Sequence, residues 1–177
     1  MFEVIDDFVN QSDVETIYDA FTDSRCDWHL AKDHDESKNR KRYFVKVFQS
    51  SCEMSNILST DEFKRIHQRI KEFVPKTDVL RRIYFNCVKP GDGSEYHKDF
   101  DGKSVLIYAN PTWKWYWGSG TAFENHGLVR PKPGRAVVFD GNISHKAISP
   151  NFLMDDCGRL SIVFQFSKSY NQNSDWD

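Results

Sequence analysis

The sequence predicts a mainly β fold, a sandwich or a barrel, with helices packed against one outer sheet. Short apolar runs recur from residue 79 to residue 168, and turn signals such as Pro90-Gly91-Asp92-Gly93 separate them, a pattern typical of an antiparallel sandwich or barrel. Aromatic residues make up 15% of the chain, and aromatic side chains favour strands. Two stretches of helical periodicity precede the strands, which places the helices outside the β-rich core.

The predicted helices lie in the first 78 residues. Ser12 would cap the first helix together with Glu15 three residues later, in the pattern of a capping box. Apolar residues then follow at helical spacing as far as Phe21. A second helix is predicted to begin within residues 59–62 and to end at Pro75, because proline cannot continue a helix.

The strands and the connecting segments follow from the same patterns. Strands are predicted at residues 43–48, 79–88, 104–109, 121–123, 135–139 and 159–166. The polar stretch 23–42 predicts either a solvated loop or a mobile lid that contacts the substrate. The Trp-rich stretch 111–119 is a second candidate for a lid, or else a hydrophobic patch.

Length, charge and cysteine usage limit the functional classes. The chain has 177 residues without a linker or a repeat, so we expect a single domain over residues 1–177. A net charge of −2 gives no general attraction to nucleic acid or to an anionic membrane, and no apolar run is long enough to span a bilayer. The acidic start lacks the pattern of a secretion signal. The four cysteines are scattered, so we expect reduced thiols and a cytoplasmic protein.

Three residues have the spacing of a metal site. His97 and Asp99 are two residues apart, and in an extended segment such side chains point to the same side. His145 would have to come from a separate strand. Two histidines and one carboxylate can hold Fe(II) on one face and leave the other positions open. The same residue types can hold a catalytic zinc in a hydrolase, so the ligands alone do not identify the metal.

Several motifs around these residues carry a family resemblance. The segment Tyr96-His97-Lys98-Asp99 follows a Pro-Gly-Asp turn, and Arg159-Leu160-Ser161 opens a strand 14 residues after His145. Over residues 79–167 the sequence resembles the 2-oxoglutarate/Fe(II)-dependent oxygenases, and within them the prolyl 4-hydroxylase-like group. The supporting segments are residues 4–9, Ile107-Tyr108-Ala109-Asn110 with Trp113, and Gly118-Ser119-Gly120-Thr121-Ala122-Phe123. Ser119 and the long interval between His145 and Arg159 depart from the family pattern.

The resemblance implies a fold and a set of cofactors. The fold would be a double-stranded β-helix, the jelly roll of cupin-like proteins, with helical support over residues 1–78 and the jelly-roll core over 79–168. His97, Asp99 and His145 would be the catalytic Fe(II) ligands. The co-substrates would be 2-oxoglutarate and O₂, with ascorbate as an optional reductant.

A 2-oxoglutarate site needs a fixed cation, because its distal carboxylate would otherwise be buried unpaired. Arg159 is the candidate, since a guanidinium matches a carboxylate in two places. Ser161 lies on the same side of the strand, and Tyr108 occupies a position where family members often place a carboxylate-binding tyrosine. Tyr84 and Asn86 are candidates for the keto-acid end, although Tyr84 is equally suited to packing.

The predicted reaction is hydroxylation of a C–H bond, with succinate and CO₂ as co-products. By analogy with the family, the leading substrate is a peptidyl residue, proline first; fold and cofactor do not themselves set the substrate. Three alternatives remain open: hydroxylation of a free amino acid or metabolite, nucleic-acid dealkylation, and a non-catalytic cupin-like binding module. Only the basic cluster at residues 38–42 favours nucleic acid, and the net charge opposes it.

Overall fold

The computed structural model describes residues 1–23, 27–32, 42–99 and 101–168. In these ranges ten strands form two antiparallel sheets, and three α-helices cover one of them. The strands are β1 Phe2–Ile5, β2 His29–Lys32, β3 Arg42–Phe48, β4 Asp78–Val88, β5 Lys103–Tyr108, β6 Gly118–Phe123, β7 Gly127–Val129, β8 Ala136–Asp140, β9 His145–Pro150 and β10 Arg159–Lys168. The helices are α1 Gln11–Thr22, α2 Ser51–Leu58 and α3 Asp61–Ile70.

The two sheets form a sandwich. The major sheet has the order β1-β8-β5-β10-β4-β3-β2, and the minor sheet has the order β7-β6-β9. The strands of the major sheet pair antiparallel throughout. Its longest pair is β10–β4, which has a register shift between Gln165 and Phe166. This arrangement is the predicted double-stranded β-helix. The first 78 residues contribute β1, β2 and β3 to the major sheet as well as the helices.

The major sheet has one face toward the helices and one toward the minor sheet. Side chains alternate along a strand, so Leu160, Ile162 and Phe164 of β10 pack with α1 and α3 in the larger apolar core. Val163 instead packs in a second core between the sheets. The polar residues of β10 that share the side of Val163, namely Arg159, Ser161 and Gln165, therefore point between the sheets. The prediction that the helices cover one outer sheet is confirmed.

The helices differ from the prediction in three ways. The cap of α1 is Asn10, whose side chain accepts a hydrogen bond from the Asp13 amide, and the predicted cap at Ser12 is wrong because Ser12 is already helical. The helix α2 was not predicted; it is only eight residues long and buries none of its residues. Its capping box, formed by Ser50 and Glu53, was the available signal. The predicted second helix is α3, with Thr60 at its cap position; it ends at Ile70, before the predicted end at Pro75.

Two predicted loops contain regular structure. Residues 29–32 of the stretch 23–42 form β2, which pairs with β3, so this part is a strand, whereas residues 24–26 and 33–41 lie outside the described residues. The Trp-rich stretch contains a short 3₁₀ helix at Trp115–Trp117, in which Trp117 is buried and Trp115 is exposed. None of the helices in the described part of the chain has the length and apolar character needed to cross a membrane.

Candidate active site

The three residues predicted to bind a metal lie together. Ligand atoms of His97, Asp99 and His145 are all within 4.8 Å of one another. His145 is the first residue of β9, and His97 forms an isolated bridge with it. The segment that contains His97 and Asp99 therefore lies beside β9, opposite the side on which β6 pairs with β9. One short segment and one strand end thus deliver all three side chains.

Backbone hydrogen bonds fix this segment. The amide of His97 donates to the carbonyl oxygen of His145 at 3.0 Å, and the amide of His145 donates to that of His97 at 2.9 Å. The amide of Asp99 donates to the carbonyl oxygen of Gly141 at 2.7 Å. Each residue of the triad is therefore held by the main chain, independently of any metal.

The two imidazole rings are oriented in the same way. Nδ1 of His97 lies 3.0 Å from the carbonyl oxygen of Glu95, and Nδ1 of His145 lies 3.0 Å from that of Ile143. A carbonyl oxygen only accepts, so both Nδ1 atoms carry the hydrogen, and Nε2 keeps its lone pair for a metal. Burial lowers the pKa of His145, which favours the neutral ring that metal binding requires.

Asp99 is held by a serine that the sequence analysis did not single out. The hydroxyl of Ser104 in β5 donates to Asp99 Oδ2 at 2.5 Å, and the Asp99 side chain is 3% exposed. Nε2 of His145 lies 3.9 Å from the same carboxylate oxygen. The rings of Phe123 and Phe139 pack against the His145 ring, with centroids 5.6 and 4.8 Å away. These contacts leave little freedom to the carboxylate or to the ring.

The triad opens into a cavity of about 230 Å³ between the sheets. Its lining includes six of the predicted residues: Tyr84, Asn86, His97, Asp99, His145 and Arg159. The predicted metal site and the predicted anion site therefore share one cavity. The remaining walls are mainly apolar, with Val45 and Val47 from β3, Leu106 from β5 and Val163 from β10.

Arg159 is a buried cation with spare hydrogen-bonding capacity. The residue is 1% exposed, and its Nη1 donates to the Gly120 carbonyl oxygen and to Thr121 Oγ1, the latter at 3.2 Å. Its Nε has no hydrogen-bond partner among the described residues, nor does any carboxylate there pair with it. Burial lowers the pKa of Arg159. Because burying an unpaired charge is costly, the site fits an anion that would complete the guanidinium.

Two further predicted residues, Ser161 and Tyr108, lie close to Arg159. In the sheet register Ser161 stands between Asn86 on one side and Tyr108 on the other. The described residues offer no hydrogen-bond partner to Ser161 Oγ or to Asn86 Oδ1, although both are buried. The Arg159 guanidinium lies 5.7 Å from the centroid of the Tyr108 ring. Buried polar atoms without partners are rare, and here they cluster beside the unpaired cation.

Thr121 is a residue of this site that the sequence analysis missed. It lines the cavity, and its Oγ1 lies 3.0 Å from the Tyr108 hydroxyl, which also donates to the Val129 carbonyl oxygen at 2.8 Å. Thr121 therefore links Tyr108 to Arg159. The adjacent Gly120 is required sterically, because a Cβ there would lie 2.4 Å from the Val129 carbonyl oxygen.

Solved structures share this architecture. No family model matches the sequence, and no curated protein matches it. The viral collagen prolyl hydroxylase of Paramecium bursaria Chlorella virus-1, solved as a 2-oxoglutarate complex, superimposes with a TM-score of 0.65 at 13% identity over 93% of this chain and 94% of that one. A Pseudomonas putida prolyl 4-hydroxylase superimposes with a TM-score of 0.60 at 16% identity, over 96% of this chain and 93% of that one.

A biosynthetic enzyme is equally similar in fold. The non-haem α-ketoglutarate-dependent epimerase SnoN from nogalamycin biosynthesis gives a TM-score of 0.65 at 11% identity, over 94% of this chain and 77% of that one. These likenesses establish that the chain has the fold of 2-oxoglutarate/Fe(II) oxygenases. They confirm, at the level of fold, the resemblance that the sequence indicated to this superfamily and to its prolyl 4-hydroxylase-like group.

Proposed function

We propose that this chain is a 2-oxoglutarate- and Fe(II)-dependent dioxygenase, acting as a single domain over residues 1–177, that hydroxylates a C–H bond. The observation that carries the proposal is the pairing of two features in one cavity. Ligand atoms of His97, Asp99 and His145 lie within 4.8 Å of one another, and the buried guanidinium of Arg159 lines the same cavity.

The donor set fits Fe(II). Two neutral imidazoles and a carboxylate on one face leave coordination positions open, and His97 and His145 both direct Nε2 away from the carbonyl oxygens that hold Nδ1. A zinc hydrolase could use the same donors, but it does not need a buried guanidinium such as that of Arg159 beside the metal. The unpaired cation at Arg159 favours an anionic co-substrate, which is why we prefer the oxygenase.

The surrounding residues fit 2-oxoglutarate. Arg159 would hold its distal carboxylate through Nε and the remaining guanidinium hydrogens, and Ser161 would donate to the same carboxylate. Tyr108 and Thr121 would keep Arg159 in place from behind. Asn86 and Tyr84 are the candidates for the keto-acid end, since both line the cavity. With Fe(II) and O₂ bound, 2-oxoglutarate would be oxidatively decarboxylated to succinate and CO₂ while a hydroxyl group is delivered to the substrate.

The substrate we propose first is a peptidyl residue such as proline. Its support is the fold shared, nearly end to end, with two prolyl hydroxylases. A small metabolite is the second candidate, and the equal likeness to an epimerase of antibiotic biosynthesis favours it. We also propose a cytoplasmic location, because Cys52, Cys87 and Cys157 are free thiols.

The proposal is tested by adding Fe(II) and 2-oxoglutarate to the full chain without oxygen. We expect a weak visible charge-transfer band, which His97→Ala and Asp99→Ala should abolish. A well-folded wild-type protein without this band would contradict the proposed function. Succinate release across panels of peptides, amino acids and oligonucleotides would then order the substrates. Stimulation by oligonucleotides alone would contradict the peptide proposal.

A further inference from the structure

Two cysteines lie together behind the candidate active site, on the helix-facing side of the major sheet. Cys87 lies in β4, next to Asn86, which lines the cavity from the other face of the strand. Cys157 lies in the loop before β10, two residues before Arg159. Leu160 pairs with Cys87 in the sheet register, so the loop passes over the Cys87 side chain.

The two cysteines are in direct contact. Cys87 Sγ lies 3.6 Å from the Cys157 carbonyl oxygen, to which it donates. Glycine at position 158 permits this approach, because Gly158 has φ +137° and a Cβ there would lie 2.8 Å from Cys87 Sγ. Both cysteines line an apolar cavity of about 250 Å³ together with Phe21 and Trp28, so a small oxidant has room beside them.

The thiols differ in exposure and in acidity. Cys157 is exposed, whereas Cys87 is buried. The proximity of Cys87 lowers the pKa of Cys157, and the proximity of Cys157, together with burial, raises the pKa of Cys87. Because the thiolate is the reactive form, Cys157 is suited to react first with an oxidant and Cys87 to act second, as the resolving thiol.

We propose that Cys87 and Cys157 form a dithiol site oxidised by hydrogen peroxide, and that its disulfide weakens anion binding at Arg159. The Cys157 thiolate attacks one peroxide oxygen, the O–O bond breaks, and hydroxide leaves to be protonated to water. The Cys87 thiol then attacks the sulfur of the resulting sulfenic acid. The S–S bond forms, the S–OH bond breaks, and a second water leaves. Two electrons pass from the two sulfurs to one peroxide.

The effect on Arg159 follows from the short chain path. An S–S bond is about 2.05 Å long, shorter than a hydrogen bond between thiols, so oxidation draws Cys157 toward β4. Gly158 is the single residue between Cys157 and Arg159, and its backbone already lies against Cys87 Sγ, so it has little room to absorb the movement. The displacement therefore passes to Arg159, whose guanidinium must match a carboxylate in two places. This effect rests on the proposed function; the formation of the disulfide does not.

The disulfide itself is tested by peptide mapping. The reduced full-length chain, with a chelator present so that no iron reacts, is treated with a small excess of hydrogen peroxide and digested without reduction. We expect one cross-linked peptide that joins Cys87 to Cys157 and is released by dithiothreitol. Cys52→Ser, at an exposed cysteine, should give the same cross-link. Cys87→Ser should stop at a Cys157 sulfenic acid that dimedone traps. Oxidation of Cys87 and Cys157 in the wild type without a disulfide between them would contradict the proposed dithiol site.

The effect on the anion site is measured by titrating 2-oxoglutarate into the reduced and the cross-linked protein, with Fe(II) and without oxygen. We expect a Kd several-fold higher for the cross-linked protein, restored by reduction, and no response to peroxide in Cys157→Ser. An unchanged Kd in fully cross-linked protein would overturn the link to Arg159. A reduced protein that binds no 2-oxoglutarate would instead contradict the proposed function, while the mapping result would stand.

Discussion

His97 and His145 exchange two backbone hydrogen bonds, at 3.0 and 2.9 Å, so the two proposed histidine ligands are joined through their main chains. The bridge forms an extra edge beside β9, and both ring orientations are set by carbonyl oxygens two residues earlier. The site is therefore preorganised by the sheet, and a metal would find its donors already in position.

Removing one ring should leave this frame intact. We expect His97→Ala to lose Fe(II) binding and yet to unfold within a few degrees of the metal-free wild type, because its backbone bonds with His145 do not need the imidazole. Metal titration and thermal unfolding of the metal-free proteins measure the two effects. Tyr96→Ala is the matched control, since Tyr96 is the exposed neighbour of His97 and does not line the cavity. A large loss of stability in His97→Ala, but not in the control, would contradict the idea that the backbone hydrogen bonds hold this segment in place.

Ser104 offers a second test of preorganisation. Ser104→Ala removes the hydroxyl that donates to Asp99 Oδ2, so we expect Fe(II) affinity to fall by about tenfold, the smaller of the losses usual for residues that hold a metal ligand. The apparent Kd for 2-oxoglutarate at saturating Fe(II) should change much less, because Arg159 is untouched. Ser104→Thr keeps a hydroxyl and should recover part of the affinity. Equal losses for iron and 2-oxoglutarate would contradict this role.

The sequence was informative where chemistry depends on local spacing. An extended segment brings His97 and Asp99 to one side, and Arg159 and Ser161 share a side of β10 for the same reason. The remaining contacts depend on which strands pair. Ser104 reaches Asp99 only because β5 lies beside the segment, and Thr121 reaches Arg159 from the opposite sheet. No spacing in the sequence encodes either contact.

Arg159 should separate co-substrate binding from metal binding. We expect Arg159→Ala to raise the Kd for 2-oxoglutarate by roughly 10- to 100-fold, since a hydrogen bond to a charged group is worth about 1.5–3 kcal/mol, with a smaller effect on Fe(II). Arg159→Lys should give an intermediate Kd, because lysine keeps the charge but cannot bind a carboxylate in two places. Titrations of both ligands without oxygen measure this, with unfolding curves to exclude collapse of the buried site. Equal losses of iron and 2-oxoglutarate would place the anion site elsewhere.

An ion pair between α1 and α3, with a buried carboxylate and an exposed arginine, should give the fold a dependence on pH. Asp13, 6% exposed, accepts from Nε of Arg65 at 2.9 Å, and its hydrogen bond with Arg65 lowers the pKa of Asp13. A carboxyl whose pKa is lower in the folded state stabilises the fold above its unfolded pKa, and this stability is lost as the pH falls through the folded pKa. We expect Asp13→Asn to cost about 1–3 kcal/mol at pH 7. The difference between wild type and variant should shrink below about pH 4, as measured by urea unfolding across pH. A constant difference down to pH 2 would mean that the loss comes from packing and not from the charge.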